Sequence, residues 1–169
     1  MIEISNENNI KKNEELLYRE WIPVGKFVKV LVLFVVLFIL SIGIIITAFI
    51  PKELAFIGII LGAVSILILL VYWNYRGLKI TLTKNQLDVE YGIFNRKKIP
   101  IKKITRCEIT KAHFRKYGGV GIRFGLDGSI AYNTDFGEAV KLTFQSGRPF
   151  VFSTRNSQEI CNLIDKLLN

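Results

Sequence analysis

Side chains that commonly carry out catalysis are sparse in this 169-residue sequence. His113 is the only histidine, and no serine or cysteine stands at a spacing typical of a nucleophile with its base. Residues 118–125 depart from the dinucleotide-binding pattern, because Phe124 occupies the place of the third glycine and no Walker lysine follows. Asp127 and Asp135 lie in turn-like stretches and serve turn geometry better than metal binding. We therefore expect a protein that is not an enzyme and holds no cofactor or metal.

The two cysteines, Cys107 and Cys161, lie far apart and belong to no C-x-x-C or Cys/His ligand spacing. Disulfides are rare in reducing compartments, and the distribution of charge described below predicts a cytoplasmic location for this part of the chain. We therefore expect both cysteines to be small buried hydrophobic side chains without a disulfide.

Two apolar blocks, residues 27–50 and 54–75, dominate the first half of the chain. A helix needs about 20 apolar residues to cross a bilayer, and each block contains an uncharged run of that length. Backbone groups in lipid must be satisfied within their own segment, so the short link Pro51–Lys52–Glu53 predicts an antiparallel hairpin of two transmembrane helices. A signal peptide is the rival interpretation of the first block, but that block is too long and no small-residue cleavage site follows it.

The net charge of +9 is carried entirely by residues 76–169, which contain seventeen Lys or Arg against eight Asp or Glu. Lys and Arg beside transmembrane helices are retained on the cytoplasmic side. Lys26 and Lys29 flank the first block, and Arg76 and Lys79 flank the second. The pattern predicts a cell-membrane protein with two spans, both termini in the cytoplasm and the link outside.

Residues 1–26 form a polar juxtamembrane segment. Ile10, Leu17 and Trp21 stand near helical spacing with charges between them. Two interpretations stay open, a short amphipathic helix on the membrane surface or a solvated lead-in. Under the first, Trp21 is an interfacial anchor at the level of the headgroups.

Small residues are concentrated at positions where the two helices can pack. Lipid gives helices no hydrophobic reason to associate, so close approach across small side chains is a usual source of adhesion. We expect packing inside the hairpin, with a homodimer seam as the alternative. No charged residue lies in the core of either helix, which argues against a transport site. The packing candidates are Gly43, Thr47, Ala55, Gly58, Gly62 and Ser65.

Beyond residue 75 the hydrophobic period changes from that of a helix to that of a strand. Apolar and polar residues alternate over short stretches separated by the turn signals Lys84–Asn85, Asp127–Gly128 and Ser146–Gly147. Asn156, with Glu159 three residues later, begins an apolar stripe of helical spacing. Residues 76–169 are therefore predicted to form a mainly-β domain of about seven strands with one C-terminal helix.

Several stretches carry a resemblance to a known family: residues 98–104, with a hydrophobic-Pro-hydrophobic joint, residues 119–123 and 131–133, and the ending over residues 140–152 and 156–168. With two preceding spans, the chain resembles the membrane-anchored bacterial pleckstrin-homology-like (PH-like) domain family. The resemblance implies two packed, nearly orthogonal sheets with the helix closing one open end. The lipid-headgroup pocket of eukaryotic relatives is not carried over, because the first strand turn offers only Lys84 and Asn85.

Clustered cations are the strongest functional signal, and we expect them to form a basic patch that faces the membrane or a partner. Each Lys or Arg near an anionic leaflet contributes about 1 kcal/mol. The alternative is that these charges only solvate the domain. Nucleic acid is not expected as a partner, because no basic recognition helix is visible. The patch comprises Arg96, Lys97, Lys98, Lys102, Lys103 and Arg106.

These features predict a non-enzymatic integral membrane protein whose cytoplasmic PH-like domain binds a protein partner or the anionic membrane surface. The resemblance also implies an alternative, self-immunity against membrane-active bacteriocins. A membrane-embedded enzyme is the third hypothesis. A homo-oligomer is compatible with the small residues of the helices.

Overall fold

The computed structural model describes residues 15–49 and 56–168. It divides into two compact units, one formed by Val24–Arg76 and the other by the chain on both sides of that segment. Ala55 and the link Pro51–Glu53, which the sequence predicts to lie between the spans, are outside the described residues.

The first unit contains two helices, α1 (Lys26–Phe49) and α2 (Phe56–Asn74). Both are long and apolar enough to cross a membrane, and most of their large side chains are exposed. The amide of Val24 donates to the carbonyl of Arg76 at 2.9 Å, which joins the start and the end of this unit. α1 begins one residue before the predicted range 27–50, and α2 lies inside the predicted range 54–75.

Close packing inside the hairpin centres on Gly58. A Cβ built there would lie 3.3 Å from Oγ1 of Thr47 and 3.5 Å from the carbonyl oxygen of Gly43. Ser65 is buried and donates to the carbonyl of Leu61 at 2.9 Å. A Cβ on Gly62, by contrast, would meet nothing within 4 Å. The structure thus places Gly43, Thr47 and Gly58 in the helix contact and leaves Gly62 in open space.

The second unit begins with a strand, β1 (Leu16–Pro23), in place of the amphipathic helix or solvated lead-in that the sequence predicts. Tyr18, Glu20 and Ile22 are more buried than Arg19 and Trp21, which alternate with them. This period of two is that of a strand. Over Leu16–Pro23 both interpretations are wrong, because the hydrogen-bonding partner of this stretch is a strand more than fifty residues later in the chain. Ile10 lies outside the described residues.

The first sheet has the order β1-β2-β3-β4 and is antiparallel throughout. Pro23 pairs with Gly77 at one end of the sheet, and Gln86 pairs with Pro100 towards the other. Pro100 has no amide hydrogen to donate, and it ends the last strand of the sheet. The three strands after β1 are β2 (Gly77–Thr83), β3 (Gln86–Tyr91) and β4 (Asn95–Pro100).

The second sheet has the order β5-β8-β9-β7-β6, in which β7 and β9 are parallel and the other pairs antiparallel. A 3-10 turn at Ile101–Lys103 connects β4 to β5, and a short helix α3 (Phe114–Tyr117) precedes β6. Gly118 and Gly119 turn the chain at positive φ. The strands are β5 (Ile104–Ala112), β6 (Gly121–Phe124), β7 (Ile130–Asn133), β8 (Gly137–Phe144) and β9 (Phe150–Ser153).

The core of this unit lies between the two sheets and under the last helix, α4 (Ser157–Leu168). The rings of Tyr91 in the first sheet and Tyr132 in the second lie 6.2 Å apart. The predicted apolar stripe of α4 buries Ile160 and Ile164, and the carbonyl of Asn156 accepts from the amide of Ile160. Two sheets and a C-terminal helix confirm the predicted fold class.

Cys107 on β5 and Cys161 on α4 form a disulfide. The expectation that the two cysteines do not form a disulfide is therefore wrong for this structure. Their separation of 54 residues gave no local signal, and only the packing of α4 against β5 brings their Cα atoms to 5.4 Å. The bond fastens the C-terminal helix to the second sheet.

Candidate binding cleft

Two of the six predicted patch residues, Arg96 and Arg106, pair with carboxylates. Arg96 binds Asp88 and also Glu90, at 2.9 Å, on the neighbouring strand. The hydrogen bond with Asp88 raises the pKa of Arg96. Arg106 pairs with Glu108 at 3.0 Å. The charges of these two arginines are therefore largely compensated inside the domain.

Three other patch residues, Lys97, Lys98 and Lys103, line a cleft of about 340 Å³. Arg148 joins them from the β8–β9 turn, where Gly147 has a φ of 103°. We call this site the basic cleft. Its remaining walls are apolar or uncharged and comprise Ile99, Pro100, Phe144, Gln145, Ser146 and Gly147.

The local fold explains why these cations converge. The amide of Ile101 donates to the carbonyl of Asn85, and the 3-10 turn then brings Lys103 to the second sheet, where its carbonyl accepts from the amide of Gln145 at 3.3 Å. This contact sets the β8–β9 turn, and with it Arg148, beside the end of β4. Lys102 lines an adjoining depression with Ile104 and Gln145.

Lys97 forms the floor of the basic cleft. It is half-buried, and its ammonium lies 4.4 Å from the centre of the Phe150 ring and 6.0 Å from that of Phe144. A cation over an aromatic face is stabilised by the ring quadrupole. Burial nevertheless lowers the pKa of Lys97. An anionic ligand would offset the cost of this desolvation by supplying the opposite charge.

The cations of the basic cleft have no carboxylate partner among the described residues. Two lysines elsewhere in the domain do have carboxylate partners: Lys79 pairs with Glu90 at 3.2 Å, and Lys84 pairs with Glu15. Arg148 lies 5.9 Å from the ring of Phe124 and makes no ion pair in the described part of the chain. Several uncompensated cations around one concavity favour an anionic ligand.

Asp127, which was weighed as a metal ligand from the sequence, is held by hydrogen bonds and ion pairs within the domain. Asp127 accepts a hydrogen bond from the Ser129 amide and pairs with Lys116 at 2.9 Å and Lys141 at 3.0 Å. Partial burial opposes its ionisation, but these hydrogen bonds hold the pKa of Asp127 well below its ordinary value. The described residues contain no group of three or more His, Cys, Asp or Glu placed to hold a metal ion.

Trp21 lies on β1 at the end of the first sheet that is remote from the β4–β5 joint. It is 50% exposed, and its indole packs so closely over Gly77 that a Cβ there would lie 2.4 Å from the ring. Gly77 is therefore required as glycine by a close approach. The predicted interfacial anchor thus lies where the chain passes between the two units.

A paired-sheet domain with a C-terminal helix, joined to a hairpin of two apolar helices, defines a membrane-type PH-like protein. Residues 26–144 match the family model described as bacterial PH domain. This match covers more than half of the chain, and the chain belongs to the bacterial PH domain family. No curated protein and no solved structure matches it. The match ends at Phe144, the last residue of β8, and does not include β1, β9 or α4.

Proposed function

We propose that this chain is a non-enzymatic, membrane-anchored binding module whose basic cleft receives an acidic segment of a protein partner. The observation that supports this proposal is the convergence of Lys97, Lys98, Lys103 and Arg148 on one concavity without carboxylate partners among the described residues. Extended acidic side chains can satisfy such cations by charge-assisted hydrogen bonds. The apolar walls allow part of the segment to be desolvated.

A protein partner is favoured over the anionic leaflet by the register of the first sheet. The chain leaves the first sheet for α1, and returns to it from α2, at the end where Pro23 pairs with Gly77. The basic cleft lies at the other end, where Gln86 pairs with Pro100. The six steps of β2 from Gly77 to Thr83 span about 20 Å at strand geometry. Attraction between exposed charges and a leaflet decays within a Debye length of about 8 to 10 Å.

Sidedness forms part of the proposal. Lys26 and Lys29 lie in the first turn of α1, and Arg76 and Lys79 follow α2. Because such residues are retained in the cytoplasm, we place the domain there, with the link between the helices outside. The partner is then a cytoplasmic protein or the cytoplasmic part of another membrane protein.

Protection against membrane-active bacteriocins stays a prediction, tested by challenging a sensitive host that expresses the chain.

The proposal is tested by titrating the full chain, held in nanodiscs of zwitterionic lipid, with polyglutamate. We expect binding that weakens with added salt and falls at least tenfold when the four cleft cations are replaced by glutamine. The matched control replaces four exposed cations outside the cleft by glutamine, namely Lys111, Arg115, Arg155 and Lys166. Equal loss in both variants would mean that net charge, rather than the cleft, determines binding, and the proposal would be wrong.

A further inference from the structure

The β3–β4 turn presents two adjacent large apolar side chains to solvent. Ile93 is 79% exposed and Phe94 is 82% exposed. Gly92, with a φ of 72°, allows the chain to reverse before them. Single exposed apolar residues need no explanation, but an adjacent pair at the tip of a hairpin marks a contact surface. We call this pair the apolar turn.

The apolar turn lies at the end of the first sheet through which the chain passes to and from the helices. Leu78 pairs with Tyr91, directly before the turn, and Gly77 pairs with Pro23 one position further. Trp21, half-exposed over Gly77, adds a third large apolar side chain at this end. The other end of the sheet carries the basic cleft, so the two surfaces are separate.

Covalent geometry ties this end of the sheet to the helices. Three residue steps join Pro23 to Lys26, where α1 begins, and three join Asn74, where α2 ends, to Gly77. Three fully extended steps span at most about 11 Å. Two such connections leave from adjacent strands, so only a short length of chain separates this end of the sheet from each helix.

We propose that Ile93 and Phe94 insert into the headgroup region of the leaflet beside the domain, and that the lipid bilayer is the occupant of the apolar turn. Insertion removes exposed apolar surface from water, and aromatic rings such as those of Phe94 and Trp21 are favoured near the interface. The neighbouring cation, Arg96, is compensated by Asp88 and Glu90, so no unpaired charge from it opposes entry. This proposal depends on both α1 and α2 spanning the membrane, and it is independent of the function proposed for the basic cleft.

Photocrosslinking tests this anchor in the full chain. The photoreactive residue p-benzoylphenylalanine is placed at Phe94 and, as a matched control, at Lys84 in the β2–β3 turn at the other end of the sheet. We expect lipid adducts in nanodiscs at position 94, with a yield at least tenfold above that at position 84. Equal yields at the two positions, or no lipid adduct at position 94, would overturn the proposal.

The same two chains irradiated in native membranes distinguish lipid from protein as the occupant. A predominant protein adduct at position 94 would assign the apolar turn to a protein interface and contradict insertion. A second variant, Ile93→Ser with Phe94→Ser, retains all cleft residues. It should bind polyglutamate as the unaltered chain does, while hydrogen exchange of the turn amides in nanodiscs rises severalfold. Unchanged exchange would count against contact with lipid.

Discussion

The ammonium of Lys97 on β4 lies 4.4 Å above the ring of Phe150 on β9, which links the edge of one sheet to the interior of the other. A cation in this position is stabilised by the ring but has lost part of its hydration. It faces a cleft whose other cations also lack carboxylate partners among the described residues. The relationship makes Lys97 the residue most sensitive to an anionic ligand.

The lowered pKa of Lys97 predicts a pH dependence of binding. Polyglutamate should bind more weakly as the pH rises towards the ordinary lysine pKa, and Lys97→Arg should shift this loss to higher pH because arginine stays charged. The contribution of Lys97 to the free energy of unfolding should change in the opposite direction as the pH rises. Between the lowered folded pKa and the unfolded pKa, the unfolded chain binds more protons, so stability rises with pH. Identical pH profiles for Lys97→Arg and the unaltered chain would contradict this role.

The cytoplasmic assignment predicts the state of the two cysteines in cells. The structure joins Cys107 to Cys161 by a disulfide, but cytoplasmic thiol systems keep most protein cysteines reduced. If the domain is cytoplasmic, both cysteines should therefore be trapped as thiols when cells are lysed into an alkylating reagent. In a background without these cysteines, a cysteine at Lys52 should react with an impermeant reagent in intact cells, and one at Asn169 should not. A Cys107–Cys161 disulfide in freshly trapped cells, or labelling at Asn169, would place the domain outside.

Glu20 should stabilise the domain through contacts that join β1 to the start of α4. Its carboxylate accepts from the hydroxyl of Thr154 at 2.7 Å and from the amide of Arg155 at 3.0 Å. We expect Glu20→Ala to lower the free energy of unfolding by about 1 to 3 kcal/mol, measured by urea titration in detergent micelles. Glu15→Ala removes only an exposed ion pair with Lys84 and should cost less than about 1 kcal/mol. Equal effects would argue against β1 as part of the domain.

The helix contact predicts different responses at two glycines of α2. Gly58→Leu forces a side chain against Thr47 and the Gly43 backbone, so it should separate the helices. Gly62→Leu enters open space within the chain and should leave the hairpin intact. Cysteine crosslinking between α1 and α2, in a background without the native cysteines, measures both. If the unaltered chain instead gives dimer-sized crosslinks, and only Gly62→Leu abolishes them, Gly62 belongs to a homodimer seam.

Elements with a local signal could be predicted from the sequence. The two helices follow from uncharged length, and α4 follows from a stripe that buries Ile160 and Ile164. The strand β1 could not, because its partner β2 lies beyond both helices and the tie between Glu20 and Thr154 spans 134 residues. The disulfide was missed for the same reason.

The basic cleft could be predicted only in part. Lys97, Lys98 and Lys103 stand out as clustered cations, but their sequence neighbours Arg96 and Arg106 are compensated by carboxylates, among them Asp88 on the neighbouring strand and Glu108 two residues further along β5. The pair of Arg96 with Asp88 crosses from one strand to the next and depends on register, whereas Arg106 and Glu108 lie on the same strand. Arg148 is a single arginine after a turn, with no cluster to mark it. It joins the site only because Gln145 bonds to Lys103.

Photocrosslinking from inside the basic cleft in living cells shows whether the cleft receives a segment of a protein partner. The photoreactive residue p-benzoylphenylalanine replaces Ser146, an uncharged and exposed lining residue, so all four cations remain. We expect a discrete protein adduct whose yield falls at least tenfold when Lys97, Lys98, Lys103 and Arg148 are changed to glutamine, but not in the control with four substitutions elsewhere. Adducts with lipid alone, or a protein adduct that survives loss of the four cations, would contradict it.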